Sequence, residues 1–93
     1  MNVMEVETYV DMMTGRPFAD VSRELLADGF SRGKAVKERA SGGSKVRFSR
    51  GAHEDAVVVD VVHAWEVDRF GIGRPGKVTG GKLVYTGVKD ELD

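Results

Sequence analysis

The fold is decided by residues 56–67, AVVVDVVHAWEV. Six of the eleven residues from Val57 to Val67 are valine, and β-branched side chains favour a strand over a helix. Successive side chains of a strand point to opposite faces. One face is then formed by Val57, Val59, Val61, His63, Trp65 and Val67. We therefore predict a long strand over residues 55–69, central in its sheet for the first half and more exposed later.

Two different periods follow each other in the N-terminal part of the chain. Residues 3–12 alternate between apolar and polar side chains, which predicts a half-buried strand. Residues 18–28 carry apolar side chains at helical spacing, and Gly29 is placed to end this helix in a Schellman motif. Ser31 can then cap a second short helix, which we predict over residues 32–40.

On the C-terminal side of this second helix, alternation and glycine set the pattern. The alternating residues 45–49 predict a short strand. Residues 71–87 hold six of the 12 glycines, and the pair at Gly80 and Gly81 predicts a two-residue hairpin turn. A closing strand is expected over residues 83–88.

These elements give the order β-α-α-β-β-β-β. The order predicts the α+β class, with a small antiparallel sheet of four to five strands and one or two short helices on one face. A length of 93 residues leaves no room for a second core, so we predict a single domain over residues 1–93 with a frayed tail at 89–93.

Composition removes several function classes. The chain has no cysteine, which excludes a disulfide scaffold, a thiolate zinc site and a cysteine nucleophile. A small domain without disulfide bonds is more typical of the cytoplasm than of secreted proteins, so we predict a cytoplasmic location. Neither an apolar signal segment nor a stretch of about 20 apolar residues is present, so we expect no membrane association.

The formal net charge of −1 hides a segregated charge pattern. Residues 1–30 carry six acids and two bases, residues 31–50 seven bases and one acid, and residues 51–93 eight acids and five bases. A basic segment between acidic ends predicts a surface for an anionic partner. The predicted partner-binding residues are Arg32, Lys34, Lys37, Arg39, Arg47 and Arg50, with Trp65 as a half-exposed aromatic anchor. The alternative is that this segment pairs internally with the acids Glu5, Glu7 and Asp11.

A second interpretation of the basic segment is nucleic-acid binding. The segment Leu25–Ser31 resembles the corner of a helix-turn-helix, which would make the basic helix over residues 32–40 a recognition helix. Glu38 stands where that pattern needs an apolar residue, and Gly33 weakens the helix. Nucleic-acid binding, through this motif or through the basic patch alone, is therefore the alternative hypothesis.

A phosphate-binding loop is suggested by spacing alone. Residues 71–77 match the pattern G-x4-G-K after a predicted strand. Residue 78 is valine where magnesium binding needs Ser or Thr, and Pro75 removes one amide donor. A predicted hairpin also follows in place of the required helix. We therefore predict a mobile glycine loop over residues 71–82.

No pattern in the sequence supports metal binding or catalysis. In a strand, Asp60 and His63 point to opposite faces and cannot chelate one ion together, and His53 falls in a predicted turn. No nucleophile elbow is present. We therefore expect no metal, no cofactor and no enzyme activity. A small ribonuclease-type toxin, which would use residues such as His53 or His63, remains an alternative.

The sequence as a whole favours a binding module. In size, composition and lack of a catalytic motif, the chain resembles the small accessory proteins of phages and mobile elements. This resemblance implies an inhibitor or assembly factor that acts by surface occlusion and assigns no residue roles. The predicted partner is a protein with an acidic surface or a nucleic-acid-binding complex, and homo-oligomerisation stays open.

Overall fold

The computed structural model describes residues 1–87, in which two helices precede four strands. The helices are α1 (Val3–Met12) and α2 (Phe18–Ala27). The strands are β1 (Ser31–Lys37), β2 (Ser44–Arg50), β3 (Val57–Val67) and β4 (Gly73–Thr86). One 3-10 turn at His53–Asp55 precedes β3. The strands form an antiparallel sheet in the order β1-β2-β3-β4, which confirms the predicted α+β class.

Helix α1 occupies the residues for which alternation predicts a strand, so that prediction is wrong. Its buried residues Val3, Val6 and Val10 recur at steps of three and four, which is the period of a helix. Asn2 starts it with a capping box, because the Asn2 side chain accepts the Glu5 amide at 2.8 Å and the Glu5 carboxylate accepts the Asn2 amide at 3.1 Å. The cap and the helical stripe together outweigh the alternation.

Helix α2 confirms the helix predicted over residues 18–28, including its end. Gly29 has a φ of +93°, a conformation that costs glycine little. The amide of Phe30 donates to the Leu25 carbonyl and that of Gly29 to the Leu26 carbonyl, both at 3.1 Å. These two bonds define the Schellman motif, and they turn the chain towards the sheet.

Strand β1 replaces the predicted second helix at residues 32–40, which is a second error. Every residue of β1 is exposed, so no apolar stripe was present to hold a helix on the core. The segment instead pairs with β2 and forms one edge of the sheet, with an irregularity between Arg32 and Ala35. The observed order within residues 1–87 is therefore α-α-β-β-β-β.

Strand β3 confirms the long central strand, but the turn that follows it is not where we predict it. Strand β4 runs unbroken through Gly80 and Gly81, so the Gly-Gly hairpin is wrong. A Cβ at Gly81 would overlap the terminal methyl of buried Met13, so the glycine here makes room for a core side chain. The predicted closing strand corresponds to the end of β4, and residue 88 lies outside the described residues.

The core lies between the two helices and one face of the sheet. Alternate residues of β2 and β3 point inward and belong to the same core cluster as the buried residues of α1 and α2. The largest buried side chains include Phe18, Phe48, Met13, Leu25 and His63. The predicted frayed tail at 89–93 lies outside the described residues. Among residues 1–87, no helix has the length and apolar content needed to cross a bilayer.

Candidate binding surfaces

The face of the sheet opposite the helices is basic. Two adjoining shallow grooves, of about 480 Å³ and 400 Å³, lie on it and share Lys45, Arg47 and Asp60. We call this surface the basic face. Its cations are Lys34, Lys45, Arg47 and Lys82, and the aliphatic side chains beside them are Val36, Val62 and Val84. The register explains the grouping, because Arg47, Asp60 and Lys82 are direct neighbours across β2, β3 and β4.

One acid lies among the basic face's lining residues, and it is neutralised there. Arg47 binds Asp60 through two bonds, from Nε to Oδ1 at 2.8 Å and from a terminal nitrogen to Oδ2 at 3.0 Å. The hydrogen bond to Asp60 raises the pKa of Arg47 further above its ordinary value. Asp60 is only 8% exposed. The lysines of the basic face form no ion pair within residues 1–87, so they give the face a net positive charge.

The predicted binding residues separate onto different surfaces. Lys34 and Arg47 belong to the basic face. Arg50 instead pairs with Asp28 and lies 4.9 Å from the Phe30 ring centroid, so it is a structural residue. Arg32 turns to the opposite side of the sheet, where its guanidinium carbon lies 4.9 Å from the Phe18 ring centroid. The alternative of internal pairing holds for Arg47 and Arg50, but their partners are Asp60 and Asp28 and not Glu5, Glu7 or Asp11.

The remaining predicted residues lie towards one end of the sheet. Lys37 ends β1 and Arg39 lies in the following turn. Because residues 31–37 form an edge strand, the predicted recognition helix does not exist and the helix-turn-helix hypothesis is wrong. Trp65 is 47% exposed, in agreement with its prediction as a half-exposed aromatic. Its indole nitrogen donates to the Ser44 hydroxyl at 2.9 Å.

Sequence reasoning missed two members of the basic face. Lys45 alternates with buried Val46 and Phe48, and this pattern already indicated an outward-facing lysine. Lys82 carried no such signal, because it joins the face only through its pairing with Asp60 across β3 and β4. That pairing follows from the position of the hairpin turn, which the sequence prediction placed incorrectly.

The end of the β3–β4 hairpin forms a second exposed surface. Residues 64–75, here called the finger, extend past the last β2 pairing, which joins Ser44 to His63. The finger exposes four large apolar side chains: Trp65, Val67, Phe70 and Ile72. Phe70 is 74% exposed, and the Arg69 guanidinium lies 5.0 Å from its ring centroid. Exposed apolar groups at this density are typical of contact surfaces.

The finger turn is ordered by Asp68. Its carboxylate accepts the amides of Phe70 at 2.8 Å and Ile72 at 3.0 Å. Its own amide donates to the Ile72 carbonyl at 3.1 Å, and Gly71 takes a φ of +79°. Because β4 begins at Gly73, the predicted glycine loop over residues 71–82 is mostly strand. No loop is left to cradle a phosphate in the manner of a P-loop.

Perturbed pKa values are concentrated in a cluster that joins the helices. Tyr9 donates to Glu24 at 2.8 Å, and Arg16 binds the same carboxylate at 2.8 Å. Hydrogen bonds from Arg16 and Tyr9 lower the pKa of Glu24 to about 2, and burial with the Glu24 bond raises the pKa of Tyr9 to about 12. The shifts hold Glu24 ionised and Tyr9 protonated, so the Tyr9 hydrogen bond joins α1 to α2 and the Arg16 ion pair joins the connecting turn to α2.

His53 and His63 belong to no metal-binding cluster of residues 1–87. His63 is 1% exposed, and its Nδ1 donates to the Ala64 carbonyl at 2.9 Å while its ring packs 4.3 Å from that of Phe18. Asp60 lies on the opposite face, as predicted. Within the described part of the chain, no group of three or more His, Asp or Glu side chains is arranged to hold a metal ion.

Comparison with known proteins adds no assignment to these surfaces. Family models, curated proteins and solved structures gave no match to this chain. No relative supplies residue roles for any of these surfaces.

Proposed function

We propose that this protein is a non-enzymatic binding module whose basic face docks on an acidic surface of a protein partner. The observation that carries the proposal is the uncovered sheet face itself. Three lysines without ion pairs in residues 1–87 flank a strip of aliphatic side chains. Asp60, the one acid among the described residues that line the two grooves, is held by Arg47. The charge of the face is complementary to an acidic partner.

The chemistry between the cations favours protein over nucleic acid. Sheet faces that bind single-stranded nucleic acids stack bases on aromatic side chains. The two grooves of the basic face are lined by no aromatic residue and expose Val36 and Val84 instead. Aliphatic side chains can pack against the apolar atoms of a protein surface while the lysines meet its carboxylates.

Docking would act by occlusion. The exposed acids Glu5, Glu7 and Asp11 lie on α1, on the side of the sheet away from the basic face. Such a separation orients the basic face towards an acidic partner during encounter. A bound module would cover the partner's surface, which fits an inhibitor or assembly factor of the phage accessory type. A cytoplasmic location is part of this proposal and rests on the cysteine-free sequence.

The test compares two charge-matched variants. Lys45→Glu/Lys82→Glu reverses the basic face, and Arg69→Glu/Lys77→Glu makes the same charge change elsewhere. Each chain is immobilised on a resin and incubated with a lysate of the source organism. Any captured protein is purified, and its binding to each chain is measured by calorimetry. We expect an acidic protein that binds the wild type and the control alike and binds the basic-face variant at least about 10-fold more weakly.

Two results would contradict the proposal. One is a capture in which no protein distinguishes the basic-face variant from its control. The other is mixed-sequence DNA or RNA that binds the wild type at about 1–100 µM at physiological salt and is lost in the basic-face variant, which would assign the face to nucleic acid. Cleavage of that nucleic acid would favour the ribonuclease alternative.

A further inference from the structure

A third cleft lies away from the basic face, where α2 approaches β1 and the first residues of β4. Its volume is about 460 Å³, which lies within the range of small-ligand sites, about 300–1,000 Å³. The floor and walls include the apolar side chains of Phe18, Leu26 and Pro75. Three arginines also line it: Arg23, Arg32 and Arg74. We call this site the arginine cleft.

The arginines reach the cleft from three separate elements. Arg23 comes from α2, Arg32 from β1 and Arg74 from β4. Arg32 is paired with Phe48 across the strands, which directs it to the helix side of the sheet. The guanidinium of Arg32 lies over the Phe18 ring, and that ring is itself buried against His63 and Phe48. The floor of the cleft is therefore fixed by the core.

Within residues 1–87, only one of the three arginines of the cleft forms an ion pair, and Glu66 lies opposite Arg74 across β3 and β4 without forming one. Arg23 pairs with Asp20 at 2.9 Å. Arg32 and Arg74 form no ion pair within residues 1–87. Guanidinium groups gathered around one cleft repel one another, and an anion between them removes that repulsion. Their planar donor forks match the oxygens of phosphate and carboxylate groups.

We propose that the arginine cleft binds an aromatic ring that carries a phosphate or carboxylate group. The anionic group lies between Arg32 and Arg74, and the ring packs against Leu26 and Pro75. Leu26 is a large apolar residue left 47% exposed, which gives the ring a surface to cover. This site lies outside the basic face and does not depend on the docking function.

The experiment follows the amide resonances of the intact chain during titration at low salt. The probes are phenyl phosphate and benzoate, with inorganic phosphate for the anion alone and phenol for the ring alone. We expect saturable shifts at Ala19 and Leu26, and a dissociation constant for phenyl phosphate or benzoate at least 10-fold below those of inorganic phosphate and phenol. Capped phosphotyrosine presents the same phosphorylated ring on a peptide backbone. Its binding would assign the cleft to a protein side chain, and its failure beside bound phenyl phosphate would assign it to a free small molecule.

Variants locate the binding and separate it from folding. Arg32→Gln and Arg74→Gln should each weaken phenyl phosphate binding at least 10-fold, while Arg32→Lys retains the charge and gives an intermediate loss. The control Arg69→Gln removes a finger arginine that does not line the cleft and should bind as the wild type does. No saturable binding, equal binding of inorganic phosphate, or unchanged binding in a folded Arg74→Gln chain would each overturn the proposal.

Discussion

The two ends of the β3–β4 hairpin share one antiparallel ladder and are stabilised in different ways. At its base, Val57, Val59 and Val61 are covered by the helices and buried. In the finger, Trp65 and Val67 continue the same strand and are exposed. The difference shows that valine-rich strand sequence does not itself determine burial in this protein. The helices cover only part of the hairpin, and the rest is ordered by its own turn.

The largest expected effect comes from a matched pair of side-chain truncations, one in the base of the hairpin and one in the finger. Val59→Ala removes two methyl groups from the core and should lower the free energy of unfolding by about 2 kcal/mol. Val67→Ala makes the same change in the finger and should cost less than about 0.5 kcal/mol. Urea denaturation of both variants gives the comparison. Equal losses would show that the finger is as well packed as the base.

A smaller effect comes from the ion pair between Arg16 and Glu24 in the helical layer that covers the base. The folded-state pKa of Glu24 lies below its ordinary value, at about 2. Its stabilisation is therefore full above the unfolded pKa, near 4.5, and is lost as the pH falls towards 2. Because Glu24 is partly exposed, we expect the wild type to lose only about 1 kcal/mol more than Glu24→Gln between about pH 5 and about pH 2.5.

The measurement is a series of urea denaturation curves over that pH range. Glu7→Gln is the matched control, since Glu7 is an exposed acid of α1 without an ion pair in residues 1–87. Its stability should follow the wild type. A Glu24→Gln chain with the wild-type pH dependence would show that this carboxylate does not couple the helices.

The smallest effect on global stability is expected in the finger turn. Asp68→Ala removes the acceptor of the Phe70 and Ile72 amides and should lower the free energy of unfolding by less than about 1 kcal/mol. Amide hydrogen exchange should accelerate at these two residues and remain unchanged at Val59. Acceleration throughout the hairpin would show that the base and the finger open together.

The sequence predicted the elements whose local and tertiary signals agree. Strand β3 combined valine content with alternation, and α2 combined a helical stripe with Gly29 at its end. Helix α1 was missed because the apolar residues of the segment 3–12 fit both an alternating and a helical period. Asn2 and Glu5 have the spacing of a capping box, which is a local signal for the start of a helix. The deciding observation, burial of Val3, Val6 and Val10 on one stripe, depends on packing against the sheet.

The candidate sites were less predictable, because they depend on pairing between distant strands. The basic segment is a charge feature of the sequence, but the irregularity of β1 between Arg32 and Ala35 places its members on different faces of the sheet. Lys34 and Arg47 point to the basic face, whereas Arg32 points into the arginine cleft. Arg74 lines that cleft only because the hairpin turns at Asp68. The glycine pattern had predicted the turn at Gly80 and Gly81.

The contact between Gly81 and Met13 also protects the Met13 side chain from oxidation. Peroxide converts an accessible methionine into a polar sulfoxide. Met4 and Met12 are exposed and open to this reaction, whereas Met13 is fully buried with its terminal methyl in the space above Gly81. A sulfoxide oxygen has no room there while α1 lies on the sheet. Oxidation of Met13 would therefore mark the moments when the helical layer lifts away.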